Sequence, residues 1–228
     1  MLKPSISNKA IFCGSILILV SAVVSFAQAP MRLDGAADTS EYRKLVDKVK
    51  SGDLTIDFVK LRDAYLDWTL DECNVSDAPN RDDMVKAFDA KDFAKAASLT
   101  QAVLDYEYAN RGLHLAVSNA YKEVGNIEKS KFHSDVASLL MKAMLASGDG
   151  KTPKSAFRVL SIREEYVIMR EMGYQVSMQA LAFDKELGAF DILSGKTADG
   201  KTGSFYFAID KGWVGSTASK PCKTKVKK

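Results

Sequence analysis

The side chains in this chain that could do chemistry are a few carboxylates and two histidines. Glu164 and Glu165 stand together where a β-like run gives way to a short helical one, and Asp149 precedes them in a glycine-rich connector. A pair of carboxylates can serve general acid–base hydrolysis, one group giving a proton while the other takes one. Asp191 and Asp210 are further acids that later strands could bring to the same junction. The competing explanation is that acids at a helix start complement the helix dipole, and the spacing favours it.

His114 and His133 are the chain's two histidines. Folding the helices that carry them about Gly125 sets them about one turn out of register along the axis. A shared metal is therefore not expected, and neither a zinc-type Cys/His cluster nor an EF-hand run accompanies them. Ser147-Gly-Asp-Gly-Lys-Thr152 has the letters of a phosphate loop. Such a loop needs a strand before it and a helix after it, and here the order is reversed. It reads as a helix-to-sheet connector, and no cofactor is expected. There is no Gly-x-Ser-x-Gly, and no histidine lies near a cysteine in sequence, so an activated nucleophile is not visible.

Charge narrows the partners. Of the formal net charge of +3, the first 27 residues carry Lys3 and Lys9 without an acid, and residues 211–228 carry six lysines without an acid. The body, residues 28–210, is therefore at −5. A slightly acidic body with a short basic tail is not a nucleic-acid footprint. The first residues read as an export signal: a positive start, an apolar run from Ile11 to Phe26, and small residues at Ser25 and Ala27. Cleavage is expected after Ala27, giving a periplasmic or secreted protein with no membrane span left. An uncleaved anchor is the alternative, since the run approaches the length of a span. Cleavage leaves Cys73 and Cys222, an even pair that an oxidising compartment permits to join; two unpaired thiols are the other outcome.

The elements that would position these groups can be read in order. Residues 28–39 form a flexible lead-in. Asp38-Thr39-Ser40-Glu41 has the pattern of a capping box, and Tyr42, Leu45, Val46 and Val49 follow at helical spacing. Thr55 is placed to cap a second helix, rich in apolar residues through Trp68. A polar loop with Cys73 and the sequon Asn74-Val75-Ser76 precedes a third helix capped at Asn80. From there Lys91-Asp92-Phe93-Ala94-Lys95-Ala96 aligns with Gly125-Asn126-Ile127-Glu128-Lys129-Ser130, 34 residues on. A period of that length in helical pairs is the mark of tetratricopeptide-like packing, although the tryptophan position and closing proline of that pattern are missing. After Gly148 and Gly150 the period changes to two. Phe157 to Ile162 reads as a strand, Arg163 to Gly173 as a short helix, and Gln175 to Phe183, Gly188 to Leu193 and Ser204 to Asp210 as an antiparallel meander.

Three separated stretches resemble a known family. Tyr42 to Tyr65, Ser147 to Tyr166 and Phe205 to Asp210 look like a secreted bacterial family catalogued as a domain of unknown function, domain of unknown function 4919. The resemblance covers roughly residues 40–210. It implies export and a compact helical-plus-sheet fold, and no activity.

The expected fold class is α+β. Antiparallel, tetratricopeptide-like helical hairpins over 40–150 are followed by a small, mainly antiparallel sheet with one short helix over 151–210. A basic, disordered tail over 211–228 ends the chain. The expected function is a non-catalytic module that holds a protein or peptide of the cell envelope in a helical groove against the sheet, through Arg111, Asn119 and Tyr121. The alternative is a hydrolase-type enzyme using Asp149, Glu164 or Glu165 at the helix–sheet junction.

Overall fold

The computed structural model describes residues 32–74, 80–209 and 222. The expected export signal at 1–27, the sequon positions Val75 and Ser76, and the expected basic tail apart from Cys222 lie outside the described residues.

Helix α1 (Glu41–Lys50) starts at Ser40, whose hydroxyl accepts the Arg43 N–H at 3.1 Å. Asp38, the expected cap, is used elsewhere. Its carboxylate accepts from Trp68 Nε1 at 2.8 Å and lies 3.6 Å from the buried Arg43 guanidinium. Within the lead-in, Arg32 reaches Asp34, Asp71 and Asn74, and the Leu33 N–H donates to the Cys73 carbonyl, so residues 32–38 are tied to the body. Helix α2 (Phe58–Thr69) is capped by Asp57 rather than Thr55, because one Asp57 oxygen accepts from both Val59 and Lys60 while Thr55 is held by Asp53. Just beyond α2, Cys73 is joined to Cys222 by a disulfide.

Four helices follow: α3 (Arg81–Asp89), α4 (Phe93–Leu104), α5 (Arg111–Glu123) and α6 (Ile127–Ala146). The α3–α4 and α5–α6 turns share the same main bonds. Asp92 N–H donates to the Ala87 carbonyl at 2.9 Å, and Asn126 N–H to the Tyr121 carbonyl at 2.8 Å. Asp92 and Asn126 then cap the next helix with their side chains. Both turns need a left-handed residue one place earlier. Gly125 meets this at φ 77° without penalty, whereas Lys91 holds φ 55° with a side chain attached.

The helices bury one core around Tyr42, Leu61, Leu104, Val117 and Leu140. Helix α6, twenty residues and so about 30 Å long, serves two cores. Val136, Leu140 and Ala143 face the helices, while Met141 and Met144 face a second core with Phe157, Ile168, Met169, Leu193 and Phe207.

That second core lies on one face of a sheet made of β1 (Phe157–Arg158), β2 (Tyr174–Asp184), β3 (Gly188–Thr197) and β4 (Thr202–Ala208), with α7 (Ile162–Glu171) between β1 and β2. The order is β1-β4-β3-β2. The last three strands form the expected antiparallel meander, and β1 joins β4 in parallel. The fold is thus α+β with a mostly antiparallel sheet. The strand expected over Phe157–Ile162 is only two residues long. The Glu164 carboxylate reaches back to accept the Leu160 N–H at 2.8 Å, which takes that backbone out of the ladder and starts the helix early.

Candidate functional site

The three carboxylates singled out in the sequence go to three different places. Asp149 is exposed in the connector and accepts the Lys151 N–H at 3.0 Å, an Asx turn. Glu164 is buried in a bidentate pair with Arg62, at 2.9 and 2.8 Å. Glu165, the next residue, is rotated about 100° around the helix and faces the sheet instead. It is fully buried beside Asp191 of β3, and neither of its oxygens meets an N–H or O–H donor. Burial, then the Asp191 charge and its hydrogen bond, push the Glu165 carboxyl up to about 8. A protonated Glu165 supplies its own donor to Asp191, which resolves the missing partners. Asp191 in turn accepts from Gln179 Nε2 at 2.9 Å, and Gln179 Oε1 accepts from the Tyr166 hydroxyl at 2.8 Å. This is a polar chain from the core to the surface, tying α7 to β2.

The histidines are not out of register. His114 Nδ1 and His133 Nδ1 lie 3.0 Å apart, both rings buried. The side chains reach across the hairpin and cover the axial offset that a flat projection left between the two Cα positions. His114 Nε2 faces the Tyr108 carbonyl at 2.9 Å and so carries a proton. Its Nδ1 then accepts from His133 Nδ1–H, and His133 Nε2 accepts from Gln101 at 3.1 Å. Every ring nitrogen is satisfied with both rings neutral. Burial and the facing ring bring His114 down to about 3; burial and the Lys129 charge bring His133 down to about 4. Among the described residues, no group of three or more His, Cys, Asp or Glu side chains is placed to hold a metal ion.

The expected groove trio does not converge on the sheet. Tyr121 is half-buried, its ring stacked on His133 at 5.8 Å with Lys129 Nζ 5.2 Å from its centre. Asn119 is exposed, and Arg111 opens α5 about 15 Å from Tyr121 along the axis. Helix α5 packs between α4 and α6, away from the strands.

Strand β2 carries an exposed apolar surface. This strand is hydrogen-bonded to β3 on one side, and among the described residues nothing pairs with its other side. Met178, Leu181 and Phe183 are 59%, 66% and 76% exposed. Met178, paired with Ser194, lies on the face away from α7; for Leu181 and Phe183 the cause is a length mismatch. Ten-residue α7 spans about 15 Å, whereas eleven-residue β2 spans about 36 Å. Helix α7 therefore shelters Tyr174 and Val176 and leaves Leu181 and Phe183 overhanging. The register places Gln179, Leu181 and Phe183 on the α7 side of the sheet, opposite Leu193, Asp191 and Ala189. Ile162, Tyr166 and Arg170 of α7 are spaced four apart, all exposed, and so form one stripe along that edge. The Tyr166–Gln179 bond fixes the alignment, which puts Ile162 level with Leu181. From Tyr174 to Phe183 the strand has no charge and no proline, two of the devices that normally guard an edge; a third, a bulge, falls between Val176 and Met178. Sequence reading placed a strand here, but its free edge depends on strand order, which alternation alone does not give.

A family model described as Domain of unknown function (DUF4919) matches residues 34–214. No curated protein and no solved structure matches the chain.

Proposed function

The chain belongs to the DUF4919 family, and from that premise we propose that it is an exported binding module which takes up an extended segment of a partner protein as a further strand beside β2. The observation that carries this reading is the free edge of β2, with Leu181 and Phe183 exposed beside the α7 stripe. A strand added there would gain main-chain hydrogen bonds from the edge, while alternate side chains would meet Leu181, Phe183 and Ile162. The tetratricopeptide-like helical pairs would act as the scaffold rather than the groove.

The disulfide between Cys73 and Cys222 supports an oxidising compartment, periplasmic or extracellular, and the apolar run from Ile11 to Phe26 supports export. No helix among the described residues is long and apolar enough to cross a membrane. The net charge of −5 on residues 28–210 speaks for a protein partner over a nucleic acid.

The hydrolase alternative has one supporting contact, between Glu165 and Asp191. Both are buried, which leaves no open space beside them for a substrate.

The reading is tested by selecting a displayed library of random decapeptides on the mature chain and measuring the winners by fluorescence anisotropy. Leu181→Lys/Phe183→Lys, on exposed positions, should weaken them by ten-fold or more while far-ultraviolet circular dichroism is unchanged. Winners that bind the double variant as well as the wild type would dismiss β2 as the site.

A further inference from the structure

The α7–β2 turn closes one end of this edge with a shallow depression of about 420 Å³, lined by Tyr166, Arg170, Gly173, Tyr174, Gln175 and Val176. Two aromatic rings and a valine make its walls. Arg170 supplies the one charge among them, and among the described residues it forms no ion pair. Gly173, with φ 83°, makes the tight reversal that sets Arg170 beside the first residues of β2. Arg170 is also the last member of the exposed stripe that begins at Ile162.

Direction matters for what arrives there. A chain adding antiparallel to β2 starts opposite Asp184 and ends opposite Tyr174, at the depression. Its last residue would place an apolar side chain between Tyr166 and Tyr174, and its terminal carboxylate within reach of the guanidinium. An internal segment would bring only a neutral peptide group to the same point, and a basic one would be repelled.

We propose that the depression is a carboxyl-terminus site: the partner ends in an apolar residue whose α-carboxylate is held by Arg170, its preceding residues pairing antiparallel with β2. A planar guanidinium is suited to a carboxylate because it can offer two parallel N–H donors. This inference rests on the strand-addition reading and adds chain end, direction and charge to it.

The test uses the mature chain and a fluorescein-labelled decapeptide of alternating threonine and valine ending in valine, prepared with a free carboxylate and as the amide. The wild type should bind the acid at least ten-fold more tightly than the amide. Arg170→Gln should abolish that preference and leave the amide's affinity unchanged, while Leu181→Lys should weaken both peptides. Equal affinity for acid and amide would overturn the terminus site and leave strand addition standing. Binding of neither peptide would overturn both. An Arg170→Gln variant that loses acid and amide equally would also overturn it. So would a wild type that sediments as a dimer and becomes monomeric with Leu181→Lys, because a second copy would then occupy the edge.

Discussion

The Arg62 guanidinium and the Glu164 carboxylate form a bidentate pair, at 2.9 and 2.8 Å, that joins α2 to α7 across 102 residues of sequence. Both are buried, and each makes one more bond: Arg62 to the Arg158 carbonyl at 3.1 Å, and Glu164 from the Leu160 N–H at 2.8 Å. A charge left alone here would stay desolvated. Arg62→Ala or Glu164→Ala should therefore cost about 3–5 kcal/mol in urea unfolding. Arg62→Met/Glu164→Leu, which removes both charges and fills the space, should recover most of that loss. A single variant costing under about 1 kcal/mol would place the pair among weak surface contacts.

Lys91 occupies the turn position that Gly125 occupies 34 residues later, with φ 55° against 77°. Left-handed backbone costs a side-chain-bearing residue about 1 kcal/mol. Lys91→Gly removes that strain but loosens the unfolded chain, so the net gain should be about 0.5 kcal/mol, or about 1–2 °C in Tm. Gly125→Ala should lose about 1 kcal/mol, and since open space surrounds its Cβ position, the loss would come from the backbone alone. Differential scanning calorimetry reads both. A lower Tm for Lys91→Gly would mean that the aliphatic stem of Lys91 contributes more than its strain costs.

The elements were legible where a local pattern decides them. Phe205, Phe207 and Ile209 alternate, Asp199-Gly200 turns the chain, and the meander followed from these alone. Helix starts were legible to within two or three residues. Asp38 and Thr55 have cap-forming side chains, and what displaced them was Trp68 and Arg43 in one case and Asp53 in the other. The site was less legible. Glu164 and Glu165 are adjacent in sequence, and only the fold shows that a helix sends them to opposite partners. The histidine contact escaped a projection that tracked Cα positions without the reach of side chains. The β2 edge escaped because the mismatch between α7 and β2 becomes visible only once the two are known to pack.

The His114–His133 pair should make the fold sensitive to mild acid. Folded values of about 3 and 4 lie below the ordinary histidine value of about 6.5, so the unfolded chain binds more protons as pH falls below that value. The stability is fully present above pH about 6.5 and is lost as pH falls towards the folded values. Each histidine contributes up to about 1.4 kcal/mol per pH unit within that window. Urea midpoints should fall from pH 6.5 to 5, where most carboxylates have yet to titrate. His114→Gln/His133→Gln should flatten that limb. Imidazole resonances titrating near pH 6.5 in the folded wild type would contradict it.

Glu165 works in the opposite direction. Its folded value of about 8 lies above the ordinary glutamate value of about 4.3, so the folded state holds the extra proton between them. Its contribution is fully present below pH about 4.3 and disappears as pH rises through about 8, by at most about 1.4 kcal/mol per unit and less where water screens the pair. Between pH 5 and 6.5 the two histidines outweigh it; above that range it acts alone. Stability should therefore peak near pH 6.5 and decline towards pH 8. Glu165→Gln keeps an N–H donor towards Asp191 without an ionisable proton, so it should remove the alkaline decline and leave the acid limb in place. An alkaline limb that persists unchanged in Glu165→Gln would mean that another group near Asp191 is the one being deprotonated.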